Sequence, residues 1–325
     1  MPDPVTHYIF GKQVLEQLPE NIQKMVQKPI YQRALQGPDP WSTLGFFGGK
    51  AKQFSRRGGE MHHTKTGQFL NALMKQSKCE PALFSVLIGT TCHYCLDRLT
   101  HPYIICKAGY FDGSERTSAC IGGHTRLECA IDSYYIRTEY GKKPWFFSLP
   151  RNVLSCRQFP ETLRRGLNTV YWEIYGWENA FPLINQCLRD ERFFYGLMQD
   201  PFGIVHMLLR IISGGKTNYS VFSFFHREIN SEKLDYFNET HAPWQHPYDP
   251  SVISTASFFD LFDQAQREAI DMIEKAFAWI IGDENTLPEN IFGNSNYSTG
   301  FDCVDKRNAN IPLCQPLLYS GKYWN

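Results

Sequence analysis

The sequence predicts an all-α protein, a single multi-helical domain whose core helices are joined by long irregular loops. Three observations predict it. Apolar residues recur at helical spacing in eight separate segments of the 325-residue chain, no alternating period-2 run of useful length appears, and there is no internal repeat or low-complexity block. With 42% apolar and 15% aromatic residues the chain has enough mass for a large buried core, which excludes disorder as its overall state.

The first helix covers residues 5–18, with Val5, Tyr8, Ile9, Val14, Leu15 and Leu18 at helical spacing and Thr6 or Asp3 available to cap it. Residues 37–59 begin Gly37-Pro38-Asp39-Pro40-Trp41, are rich in glycine and aromatics, and read as a structured loop. Helical spacing resumes over 63–78 through Phe69, Leu70, Leu73 and Met74. Pro81 suits the first turn of the next helix, about 81–100, which Pro102 is expected to end. That helix is apolar on most sides and belongs at the centre of the fold. Gly122-Gly123 precede a helix at 124–138, residues 139–157 form a loop, and helices follow at 160–175, 178–198 and 201–213. Residues 214–255, with Pro243, Pro247 and Pro250, form an irregular stretch of the length that serves as a lid or functional loop. An amphipathic helix spans 256–281, and the Asn/Ser/Gly/Pro-rich tail, 282–325, is expected to wrap the surface.

The 33 Lys and Arg balance the 33 Asp and Glu. Zero net charge argues against a stable nucleic acid partner held by counterion release. Ten cysteines are too sparse for a disulfide scaffold, and several lie in apolar helical runs, where a thiol behaves as a small hydrophobe. The chain opens without a basic segment leading into an apolar one and has no run of about 18 apolar residues. The expectation is a cytoplasmic protein with reduced thiols.

The chemistry concentrates on two helices. His93, Asp97 and His101 are spaced i, i+4, i+8; each step of four turns the helix by only about 40°, so all three share one face, and His93 to His101 spans about 12 Å. His124 and Glu128 repeat the i, i+4 spacing on the following helix. Facing His/carboxylate pairs are how a helical protein builds a metal site in its core. A single histidine on an apolar helix is more often a core histidine, but five such residues within 36 positions reverse that reading. Imidazole with carboxylate suits zinc best, while Mn²⁺ and Fe²⁺ remain compatible with the ligand types.

Taken in order, Thr6-His7, Gly37-Pro38-Asp39-Pro40, Met61-His62-His63, His93-x3-Asp97, His101 and His124-x3-Glu128 resemble the zinc-dependent phospholipase C family, which is related to the single-strand nucleases with three zinc ions. The resemblance covers about residues 1–140; residues 141–325 match only as a helical body and tail of the same domain. It implies that Asp39, His62, His93 and Asp97 hold one zinc, that His101, His124 and Glu128 hold a second, and that His7 with a bridging Asp97 holds a third. His62 rather than His63 fits the family pattern, four residues before Thr66. The family completes the third site with an N-terminal Trp; this chain lacks it, Asp3 could stand in, and two ions or three remain open. The four-residue spacing from Asp97 to His101 is also shorter than in the secreted phospholipases.

The activity implied is that of a zinc-dependent phosphodiester hydrolase, phospholipase C-like, using a metal-activated water that Asp39 orients or deprotonates. Its substrate would be a phospholipid or other small phosphodiester, which leaves room for peripheral membrane contact. The alternatives are a single-strand nuclease-like phosphodiesterase and a non-catalytic, metal-stabilised helical binding protein. Asp132 extends the His124/Glu128 face by a turn and could orient a ligating histidine or simply cap a surface. Cys92-x-x-Cys95 lies mid-helix, where packing outweighs redox chemistry. Arg56-Arg57 with Lys50 and Lys52 could steer phosphate or form a solvated loop. The 241–246 segment could form a lip over the site, and Trp41, Phe46 and Phe47 could form an aromatic wall or core.

Overall fold

The computed structural model of the chain describes residues 4–46, 48–214, 220–226, 234–282, 288 and 290–316. Among them are thirteen α-helices and one small hairpin: α1 (Pro4–Gln17), α2 (Glu20–Met25), α3 (Lys28–Ala34), α4 (Pro40–Thr43), α5 (Arg57–His63), α6 (Thr66–Cys79), α7 (Ala82–Ala108), α8 (Gly123–Tyr140), α9 (Leu149–Asn152), α10 (Arg164–Tyr175), α11 (Ala180–Met198), α12 (Ile204–Ile212), β1 (Trp244–His246), β2 (Asp249–Ser254) and α13 (Phe258–Ile281). The all-α expectation holds, and the buried apolar residues form one continuous core.

The organising element is α7. Every residue from Leu83 to Asp97 and from Thr100 to Ala108 is buried, because the helix is ringed by α1, α3, α6, α8 and α13. A helix apolar on all sides can be stable in water only in that position. Pro102 lies inside α7 and does not end it, contrary to the sequence expectation. A mid-helix proline leaves the carbonyl four residues back, that of Arg98, without its usual N–H. The helix nevertheless continues to Ala108, and Gly300 lies so close to that carbonyl that a Cβ there would come within 2.6 Å of it.

The C-terminal segment is the second departure. Part of it leaves the surface: Phe292, Asn296, Tyr297 and Thr299 are buried, whereas the described residues 301–316 lie along the surface as expected, with Val304, Ile311 and Leu313 exposed. The Tyr94 hydroxyl donates to Phe292 O (2.8 Å) and accepts from Ser295 N (2.9 Å), and Thr66 Oγ1 donates to Ser295 O (2.8 Å). Its polar composition masks this role, since Asn296 Oδ1 is spent on the segment's own turn at Ser298 N.

Other differences are local. Two short helices, α2 and α3, fill residues 20–34, and the 37–59 loop contains α4 and the start of α5. Within 214–255, β1 and β2 pair antiparallel, too briefly to show as an alternating pattern. This hairpin is no lip over the site: Trp244 packs edge-on against Tyr103 of α7 at 5.4 Å and donates to Ala256 O, and His246 Nε2 bonds Thr299 O (3.0 Å). The ten cysteines are free thiols. No helix among the described residues is long and apolar enough to cross a membrane.

Candidate metal centre

Five elements deliver the predicted residues to one place. α1 brings His7, the turn before α4 brings Asp39, the last turn of α5 brings His62, α7 presents His93, Asp97 and His101, and α8 presents His124 and Glu128. The start of α1 is fixed by α8: Val5 N and Thr6 N donate to Asp132 at 2.9 and 2.7 Å, and Thr6 Oγ1 donates at 2.5 Å. Asp132 is therefore a buried cap borrowed from another helix. Its remaining described partner is His226 (3.4 Å), so it neither orients a ligating imidazole nor lies at a surface, and it acts on the site by holding the helix that carries His7. Asp3 lies outside the described residues.

Donor atoms of Asp39, His62, His93 and Asp97 lie within 4.8 Å of one another, and so do those of His101, His124 and Glu128. Asp97 sits between the two groups. Its Oδ2 is 3.0 Å from His93 Nε2 and 3.9 Å from His62 Nε2, while its Oδ1 is 3.3 Å from His7 Nε2 and 3.7 Å from His101 Nε2. Asp39 Oδ1 is 3.0 Å from His62 Nε2 and 3.9 Å from His93 Nε2. Glu128 Oε1 is 2.6 Å from His124 Nε2 and 3.6 Å from His101 Nε2. His7 stacks on His93 with ring centroids 4.1 Å apart and touches Asp97, but the described residues complete two groups, not a third around His7. His63 points away, to Asn296 Oδ1 (3.3 Å), so His62 is the histidine at the centre.

The second nitrogen of three of the rings fixes how their first nitrogens are protonated. His62 Nδ1 bonds Gly58 O (2.7 Å), His93 Nδ1 bonds Leu35 O (3.1 Å) and His101 Nδ1 bonds Tyr297 O (3.0 Å). A carbonyl oxygen only accepts, so each Nδ1 carries the proton, and in the neutral ring each Nε2 is an acceptor. These three lone pairs face carboxylate oxygens that are also acceptors. The Nε2 atoms of His62, His93 and His101 and both oxygens of Asp39 and Asp97 are buried without a hydrogen bond among the described residues. An acceptor-only cluster this deep is costly unless positive charge enters it. Backbone carbonyls holding the far nitrogens of imidazoles are the usual outer support of metal-ligating histidines. The residues present therefore fit divalent ions.

Protons on imidazole are the other source of charge, and the ionisation tendencies display the conflict. Burial pushes the Asp97 carboxyl up, but His101 and His93 outweigh it and hold it well below the usual range. Asp39 is lowered in the same way, against its burial, by His93 and His62. Burial lowers His7, reinforced by the charge of His93, whereas His93 is raised because Asp97 and Asp39 overcome its burial. Neighbouring rings thus compete for protons, which a divalent ion in their place would not require.

Several sequence candidates go elsewhere. Arg57 lies over the rings of Trp41, Phe54 and Trp177, with its carbon 5.6, 4.5 and 4.3 Å from their centroids. Trp41 is core, packed on Trp177 and Tyr171; Phe46 rests edge-on against Phe194; Phe47 lies outside the described residues. Cys92 and Cys95 are buried thiols, Cys95 pushed up to about 12 by burial, consistent with packing. The residue that sequence reasoning missed is Tyr297. Its N–H donates to His62 O (2.9 Å), its carbonyl accepts from His101, and its ring packs against His62 (5.2 Å) and His93 (5.6 Å). Comparison with known protein families, with curated proteins and with solved structures finds no match.

Proposed function

We propose that the protein is a zinc-dependent phosphodiester hydrolase of phospholipase C-like type. The observation that carries this reading is the unequal make-up of the two groups across Asp97. Asp39, His62, His93 and Asp97 supply four donors, whereas His101, His124 and Glu128 supply three. A three-donor site leaves a position for an exchangeable ligand, and a four-donor site does not. His124 is also the most accessible of these side chains, 30% exposed, so solvent and substrate meet the centre at the three-donor group.

Bound divalent ions would supply charge for phosphate oxygens and lower the pKa of a coordinated water. The chain's own residues do the rest. Asp97 ties the two groups together, and its position fixes His93 and His101 one turn to either side on α7. Asp39 directs Oδ1 to His62 and His93, and its role as the group that orients or deprotonates the attacking water is carried over from the resemblance alone. The reading also rests on the order of the ligands in the sequence, which resembles that of the zinc phospholipases.

The test combines metal analysis with turnover. Purified protein should carry at least two zinc equivalents and hydrolyse a chromogenic phosphocholine ester. Asp39→Asn should lower turnover by about 10²–10⁴-fold, the usual share of a general base, while most zinc is retained. Zinc bound without turnover on any lipid, nucleotide or single-stranded oligonucleotide phosphodiester would leave a metal-stabilised binding protein instead.

A further inference from the structure

Helix α12 is built inside out. It contains no buried residue. Val205 and Leu209 rest against the core, and His206 packs edge-on against Phe222 and Phe225 at 5.3 and 5.2 Å. The opposite stripe is Ile204, Met207, Leu208 and Ile211, at i, i+3, i+4 and i+7, flanked by Phe202 and Ile212. These six side chains are between 49 and 81% exposed. Water normally meets the polar stripe of a surface helix; here it meets the apolar one.

The charge around the stripe selects the occupant. Among the described residues of 201–226 there is no Asp or Glu, and the one Lys or Arg is Arg210, which is exposed. The acid just before them, Asp200, is buried and accepts from Val205 N (3.0 Å) and His206 N (2.9 Å), so it offers no outward negative charge. A short apolar stripe with exposed Arg210 beside it and no acid among the described residues of 201–226 matches the boundary between acyl chains and anionic headgroups.

We propose that α12 is a membrane-docking helix: its stripe of Ile204, Met207, Leu208 and Ile211 enters the acyl boundary of an anionic lipid surface, with Arg210 at the headgroup level. The helix connects to the metal centre by a short chain of contacts. His206 packs on Phe222 of the 3₁₀ turn Ser220–Phe224, and Ser223 O of that turn accepts from Cys129 Sγ (3.1 Å), one residue beyond Glu128 on α8. Docking through α12 would bring the helix that carries His124 and Glu128 to the lipid.

The test is co-sedimentation of the full-length protein with vesicles of phosphatidylcholine alone and of an equal mixture of phosphatidylcholine and phosphatidylserine. This readout needs no turnover, so it stands or falls separately from the hydrolase reading. Wild type should bind the mixed vesicles, more weakly as salt rises, and the phosphatidylcholine vesicles less. Ile211→Glu and Met207→Glu should each weaken binding by about tenfold or more. Ile253→Glu, at an exposed apolar position on β2, should bind like wild type. All three sites are exposed, so helix content and metal content should be unchanged. Wild type that stays in the supernatant with both vesicle types overturns the proposal, as does equal binding by the α12 variants. A concentration-dependent dimer broken by Ile211→Glu, without vesicle binding, overturns it in favour of a second copy as occupant.

Discussion

His93 directs Nε2 at Asp97 Oδ2 from 3.0 Å, and in the neutral ring its one imidazole proton goes to the carbonyl of Leu35. Two acceptors therefore face each other one helical turn apart, and the same holds around His62 and His101. The arrangement is stable only with added positive charge between them, and this decides what substitutions should do.

Asp97→Asn replaces one of those acceptors with an amide that can donate to His93 Nε2. Metal content should fall by at least one equivalent, because Asp97 faces both groups. The metal-free variant should melt at or above metal-free wild type, since its amide satisfies a lone pair that the carboxylate cannot. Metal analysis with thermal melts in chelator checks both signs, and a metal-free variant markedly less stable than metal-free wild type would contradict the acceptor-only description.

Gly37→Ala should damage the centre without replacing a ligand. Gly37 has φ +48°, and a Cβ there would come within 2.5 Å of the His93 ring. The new methyl must displace either the imidazole or the turn leading to Asp39. Left-handed strain and overpacking together should cost about 2–4 kcal/mol. Metal affinity should fall by about 10–100-fold, the range for a lost supporting contact. Zinc titration against a competing chromophoric chelator measures it.

Asp132→Ala removes the acceptor of three buried donors at the start of α1. A buried cap of this kind should be worth about 3 kcal/mol in chemical denaturation. His7 should lose its fixed position, whereas the group of His101, His124 and Glu128 should keep its metal. Thr6→Val, which removes only the hydroxyl donor, should cost about 1 kcal/mol.

Much of this centre was legible in the sequence because helical spacing is geometry. His93, Asp97 and His101 must share a face, His124 and Glu128 must share another, and the apolar run around Leu83–Ile88 must be buried. The pieces before α6 became readable only through the order of His7, Asp39 and His62. What stayed hidden depends on contacts that residue type does not encode. Tyr297 serves the site through its backbone N–H and carbonyl, which any residue but proline could offer, so the tail reads as a surface wrap. Pro102 departs from its usual rule and lies inside α7, where Gly300 comes close to the carbonyl of Arg98. Asp132 finds its partners 126 and 127 residues away, a distance over which periodicity is silent. Periodicity also located α12 but could not say that its apolar stripe faces outward.

The most direct measurement is anomalous scattering at the zinc edge from crystals of protein purified without chelator. The account predicts two peaks at stoichiometric occupancy, one enclosed by Asp39, His62, His93 and Asp97 and the other by His101, His124 and Glu128. Crystals with these side chains in place but no metal peak, from protein whose melting temperature is indifferent to chelator, would contradict it.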